Sequence, residues 1–109
     1  MTPVSSLGDL QQLTMLAVAR LGDRAYGGAI RDEMLRVAGR EVSISTVYVT
    51  LVRLENQRLV VSHRERNAPA GRGGKPRRYF QLTPQAWEAL QAAREAYIRM
   101  WRGLTPVRP

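Results

Sequence analysis

The sequence predicts a mainly α-helical domain that carries one small β-hairpin. Three observations lead there. Stretches with helical spacing of apolar residues follow one another between residues 10 and 57. Two short runs rich in β-branched or aromatic residues, 59–63 and 79–82, then flank a segment full of Gly and Pro. A last long amphipathic stretch opens on Thr83-Pro84.

Residues 10–21 read as a first helix, with Leu13, Leu16, Ala17 and Leu21 on its inner face. Met15, Val18 and Ala19 make the opposite side apolar too, so two faces need cover, the second by another subunit. Gly22 stops this helix. A second helix is expected over 26–38, with Tyr26, Ala29, Ile30, Met34, Val37 and Ala38 inward and Gly39 as its stop. Gly27 and Gly28 weaken its first turn by about 1 kcal/mol each relative to Ala. Two readings fit such residues: ordinary packing, or close approach of the backbone to something. Ser43 is a suitable N-cap for a third helix running to about Gln57. Ile44, Val47, Leu51 and Leu54 share one side of it. Ser45, Thr46, Val49 and Arg53 share the other, with Thr50 at their edge. That outward face is short, polar and basic, and holds no acid. The two strands and the basic loop between them form a hairpin with a long tip. Thr83 as N-cap and Pro84 at the first helical position start the last helix, which Gly103 and Pro106 end. Its stripe of Trp87, Leu90, Tyr97, Trp101 and Leu104 includes a seven-residue repeat, the spacing of a helix-pairing seam.

With 109 residues and 44% hydrophobic side chains, the chain has room for one domain and an appended helix. The expected division is 1–82, 83–104 and a tail over 105–109. A domain this small gains from a partner subunit. Seventeen cations against nine acids leave a formal charge of +8 and a pI near 11.2. That balance suits a polyanionic partner, nucleic acid or an anionic membrane. The absence of Cys excludes a disulfide framework, a thiolate zinc site and a thiol redox switch. His63 alone builds no metal cage, so neither metal nor cofactor is expected. No apolar run reaches the roughly 18–20 residues of a membrane span, and no signal peptide is evident, so the expected location is the cytoplasm. No G-x-x-x-x-G-K-[ST] loop, serine elbow or facing carboxylate pair is present, so no enzyme is expected.

Charge placement is more telling than total charge. Segment 53–78 carries eight cations and two acids, a net +6, against +2 for the remainder. Three helices followed by a β-hairpin form a winged helix-turn-helix, in which the third helix enters the major groove and the hairpin lies along the adjacent backbone or minor groove. Small hydroxyl side chains at the front of the third helix and an Arg further on suit that groove. Arg53 is the candidate base reader, since Arg contacts guanine bidentately; phosphate contact is its other reading. Arg72 and Lys75 at the wing tip are expected on backbone or minor groove. Strand alternation turns about one of Arg77 and Arg78 towards DNA. Tyr26 packs, and the helix N-terminus beside it suits a phosphate. Two other readings differ in prediction. A protein-binding winged helix predicts mixed charge on the third helix. An RNA or non-specific binder predicts exposed aromatics among the basic residues.

Five pieces carry a family resemblance: LGDLQQLTMLAVARL, AYGGAI, STVYVTLVRLE, GRGGKPRRYF and QLT, in that order over residues 7–83. Together they resemble the PadR family of bacterial transcriptional regulators. The resemblance implies a homodimeric repressor on a pseudo-palindromic operator in double-stranded DNA. It implies a C-terminal helix packed on the partner's N-terminal helix, through Leu13, Leu16, Trp87, Leu90, Tyr97, Trp101 and Leu104. It resembles the branch with a short C-terminal tail. Tyr48, about 40° from the inner face, becomes a DNA contact through its hydroxyl on this reading; half-buried packing is the other. Some relatives in that family bind flat aromatic compounds between paired C-terminal helices. Met15, Tyr97 and Trp101 are the candidates for such a site here, and plain dimer core is the alternative. One departure stands out: Arg58 occupies the place of a family Gly after the third helix, so it must adopt a left-handed conformation or end the helix differently.

Overall fold

The computed structural model describes residues 8–66 and 75–106. Its elements run α1 (Asp9–Leu21), a 3₁₀ turn (Gly22–Arg24), α2 (Gly27–Ala38), α3 (Ile44–Asn56), β1 (Val60–Arg64), β2 (Arg78–Leu82) and α4 (Pro84–Trp101). The order is the expected one, and the boundaries follow local capping chemistry. Ser43 Oγ accepts from the Thr46 amide and Thr83 Oγ1 from the Ala86 amide, so each satisfies one orphan donor of its helix. Gly39, at a φ of 65°, takes the left-handed position that closes α2.

The strands pair antiparallel, with Val60 opposite Leu82, Ser62 opposite Phe80 and Arg64 opposite Arg78. Alternation buries Phe80 and Leu82 while Gln81 faces out. A third segment joins this sheet. The Phe80 amide donates to Ala25 O at 2.8 Å, and Tyr26 bridges Tyr79. Tyr26 therefore precedes α2 instead of belonging to it, and its backbone anchors the helix start on the hairpin.

One core fills the space between α1, α2, α3, the hairpin and the first half of α4. Met15, Ile30, Leu51, Leu54 and Leu59 are fully enclosed in it, and Ala86 and Leu90 join the same cluster. The faces of α1 and α2 differ from those the periodicity predicts. On α1 the buried residues are Thr14, Met15, Ala17 and Val18, while Leu16 is exposed. Thr14 is tolerated inside because its hydroxyl donates to Leu10 O at 2.7 Å and lies 3.6 Å from the Met34 sulfur. The side holding Met15 and Val18 is thus covered by the chain itself, and the Leu13–Leu16 side is left open. On α2, Val37 and Ala38 lie outside the core, which ends at Met34.

Arg58 takes the left-handed option, with a φ of 61°. Its amide donates to Glu55 O and the Leu59 amide to Leu54 O, the paired bonds of a Schellman closure. Arg58 O in turn accepts from Thr83 Oγ1 at 2.9 Å. One hydroxyl therefore joins the exit of α3 to the entry of α4.

Candidate nucleic-acid interface

The outward face of α3 is set by its buried one. Val47, Leu51 and Leu54 point into the core, so Ser45, Val49 and Arg53 project from the opposite side and are exposed. Ser43 Oγ donates to Thr46 Oγ1 at 2.9 Å and lies 3.2 Å from Ser45 Oγ, which ties these hydroxyls into the cap. Thr50 departs from expectation. It is only 5% exposed, and its hydroxyl donates to Thr46 O at 2.8 Å, so it supports the face from below. A shallow depression of about 270 Å³ runs between Leu10 and this face.

Beside α3, the start of α2 opens into a basic depression of about 350 Å³. Tyr26 and Tyr48 line it on the helical side, and Arg64, Lys75, Arg77 and Arg78 on the wing side, with no acid among its lining residues. Tyr26, as N-cap, offers no side-chain acceptor to α2. The first helical bond is that of the Ile30 amide to Tyr26 O, so the amides of Gly28 and Ala29 precede it at the positive end of the helix. Gly27 lies directly beneath Tyr48. A Cβ there would stand 2.6 Å from the Tyr48 ring and hydroxyl, so the close approach anticipated for this glycine is to that ring.

Two cations of the depression, Arg77 and Arg78, are held in place. The Arg77 guanidinium stacks over the Tyr26 ring, 3.8 Å from its centroid, and Tyr79 meets the same ring edge-on. Arg78 Nη1 donates to Ser62 Oγ at 2.9 Å, and Ser62 Oγ donates to Glu55 Oε2 at 2.7 Å. This relay ties both strands of the wing to the last turn of α3. Arg77 precedes β2, so strand alternation does not separate it from Arg78, and both line the depression. His63 is exposed on β1 and stacks on Tyr79. Arg72 and residues 107–109 of the expected tail lie outside the described residues.

A second, apolar surface lies on α1 and α4. Leu16, Trp87, Tyr97, Trp101 and Leu104 are exposed, and Leu13 is half-buried. Leu16 and Trp87 share a depression of about 270 Å³ with Arg94 and Leu90. Two of the expected residues belong elsewhere. Leu90 is 7% exposed and packs in the chain's own core, and Met15 is fully enclosed, so it forms no wall of a cavity between subunits. Next to Leu13 and Leu16, Glu33 accepts from Arg20 at 2.9 Å and from Arg36 at 2.8 Å. The hydrogen bonds from Arg36 and then Arg20 hold its carboxyl below the ordinary value of 4.5. Among the described residues, no helix is long and apolar enough to cross a membrane.

Solved structures with this arrangement exist. A PadR family transcriptional regulator from Eggerthella lenta is 28% identical, with a TM-score of 0.66 over 87% of this chain and 81% of that one. A PadR-like transcription factor from Bacteroides fragilis is 25% identical, with a TM-score of 0.70 over 84% and 82%. RosR of H. salinarum, 20% identical, shares the fold with a TM-score of 0.68 over 94% and 84%. No curated protein gives a significant match. The family model of the PadR-like transcriptional regulators matches residues 15–92, which span the second half of α1, the helix-turn-helix, the wing and the first half of α4. On that match, the chain belongs to the PadR-like family of transcriptional regulators.

Proposed function

We propose that the chain is a sequence-specific DNA-binding repressor that acts as a homodimer on a pseudo-palindromic operator. The observation that carries this reading is the acid-free basic depression at the start of α2, set beside an outward α3 face that is exposed and free of acid. A phosphate seated there meets the Tyr48 hydroxyl and four cations beside the positive end of α2, while α3 lies in the neighbouring major groove. Ser45, Thr46, Val49 and Arg53 then face base edges. Lys75, Arg77 and Arg72 follow the backbone. The exposed apolar surface of Leu16, Trp87, Tyr97, Trp101 and Leu104 supports dimerisation, since patches of this kind mark protein interfaces. A dimer would place two α3 helices about one turn of DNA apart. Release by a signal belongs to the same proposal: Tyr97 and Trp101, one helical turn apart and exposed, offer stacking faces to a flat aromatic effector.

The wing and α3 fail differently on this reading. Lys75→Ala weakens binding to all sequences alike and lowers the salt slope by about one per subunit. Arg53→Ala costs about 1–3 kcal/mol on the preferred site only. Fluorescence anisotropy on selected and scrambled duplexes, over a salt series, measures both. Equal losses of Arg53→Ala on the two duplexes would remove Arg53 as a base reader. Failure to bind any duplex would remove the function.

A further inference from the structure

The outward face of α3 holds a residue that folding does not explain. Val49 is 50% exposed in the middle of a helix, a position where a β-branched side chain has lower propensity than a straight-chain one. At about 100° per residue it lies at the centre of the outward face. Ser45 and Arg53 stand about 40° to either side, and Val52 about 60° away. The hydroxyls around it are partly engaged: Thr46 Oγ1 accepts from Ser43 Oγ, Ser45 Oγ lies 3.2 Å from Ser43 Oγ, and Thr50 Oγ1 donates to Thr46 O. At its centre the face presents the two methyl groups of Val49, with those of Val52 at its edge and a guanidinium one turn further on.

Resting on the DNA-binding reading above, we propose that Val49 reads a thymine through its C5-methyl group and that Arg53 reads a guanine one or two base steps away. In the major groove only the T·A pair offers an apolar group, so an exposed valine has one favourable partner there. Val49 and Arg53 are separated by about 6 Å along the helix, against about 3.4 Å per base step. The side chain of Arg53 spans the difference. Specificity in this half-site thus includes a methyl contact and a bidentate Arg, alongside the hydroxyls of Ser45 and Thr46.

The test begins by selecting preferred sites from random duplex DNA with the full chain. Each thymine of the half-site is then replaced by uracil, which removes only the methyl. One position per half-site should lose about fourfold in affinity, the equivalent of one buried methyl. Val49→Ser, shown to be folded by thermal melts, should bind thymine and uracil sites alike. A clear consensus in which no uracil weakens binding overturns the methyl contact and leaves the DNA-binding reading standing. Val49→Ser protein that still discriminates uracil assigns the methyl to another residue and also overturns it. Selection that yields no enriched site refutes the underlying function as well.

Discussion

Gly27→Ala separates folding from function at the start of α2. The new Cβ would lie 2.6 Å from Tyr48 Cζ and Oη, well inside van der Waals contact, so one group must move. Tyr48 is the group that yields, because the atoms struck are the far end of an exposed side chain. Moving the ring to a poorer rotamer costs about 0.5–1.5 kcal/mol. Replacing a helical Gly by Ala returns up to about 1 kcal/mol. Stability should therefore change by less than about 1 kcal/mol. DNA affinity should not survive as well. With a phosphate in the proposed seat, the displaced hydroxyl would lose a hydrogen bond to a charged group, worth about 1.5–3 kcal/mol, or tenfold and more per subunit. Tyr48→Phe should lose the same affinity without moving the ring, and adding Gly27→Ala to it should cost little further. Paired thermal melts and anisotropy titrations measure the two quantities. Wild-type affinity in Gly27→Ala would show that the seat of Tyr48 is irrelevant to DNA. A loss of more than about 2 kcal/mol in stability would make the ring a packing residue.

Arg58→Gly should raise stability by about 0.5–1 kcal/mol, the left-handed penalty less the added freedom of the unfolded chain, and Arg58→Ala should not; melts at one protein concentration compare the two. Leu16→Asp should leave a folded monomer, since Leu16 is exposed within one subunit, whereas Leu90→Asp should unfold the chain. Light scattering checks this against twice the 12.3 kDa chain mass expected for the parent. Glu33 is held below its usual range in the folded state, so its contribution is present above about pH 4.5 and lost as pH falls through the lowered value. Glu33→Gln should flatten that part of a melting-temperature profile in acid, and an unchanged profile would exclude the Arg20–Glu33–Arg36 cluster as its source.

The element order and most boundaries were legible because they depend on residues within a turn of each other. Ser43, Thr83-Pro84 and Gly39 state where helices begin and end through their own capping chemistry. The faces were less legible. Thr14 counts as polar in a periodicity, yet a bond to Leu10 O lets it turn inward, and that rotates the buried side of α1 away from Leu16. Thr50 is hidden in the same way by its bond to Thr46 O. The sheet contact of Ala25 and Tyr26 is two residues long, too short for any alternation to reveal. The reason for Gly27 lies in Tyr48, on another helix, and the clamp of Arg77 on Tyr26 crosses from wing to helix. The basic character of the site was readable from composition along the chain. Its assembly around the start of α2 depended on tertiary placement.

The hydroxyl of Thr83 makes α4 a lever with a defined fulcrum. It caps α4 and grips Arg58 O, so the near end of an 18-residue helix is pinned to the exit of α3. Ala86, Leu90 and Ala93 hold its first half against the core, so the free arm runs from Ala93 to Trp101, about 12 Å at 1.5 Å per residue. A sideways push of about 3 Å at Trp101 then corresponds to a turn of about 14° over that length. Modest angles where the helix leaves the core thus become displacements the size of a side chain at the tip. The reverse also holds: a modest adjustment of α3 as it settles on a surface is magnified at the exposed aromatics of α4.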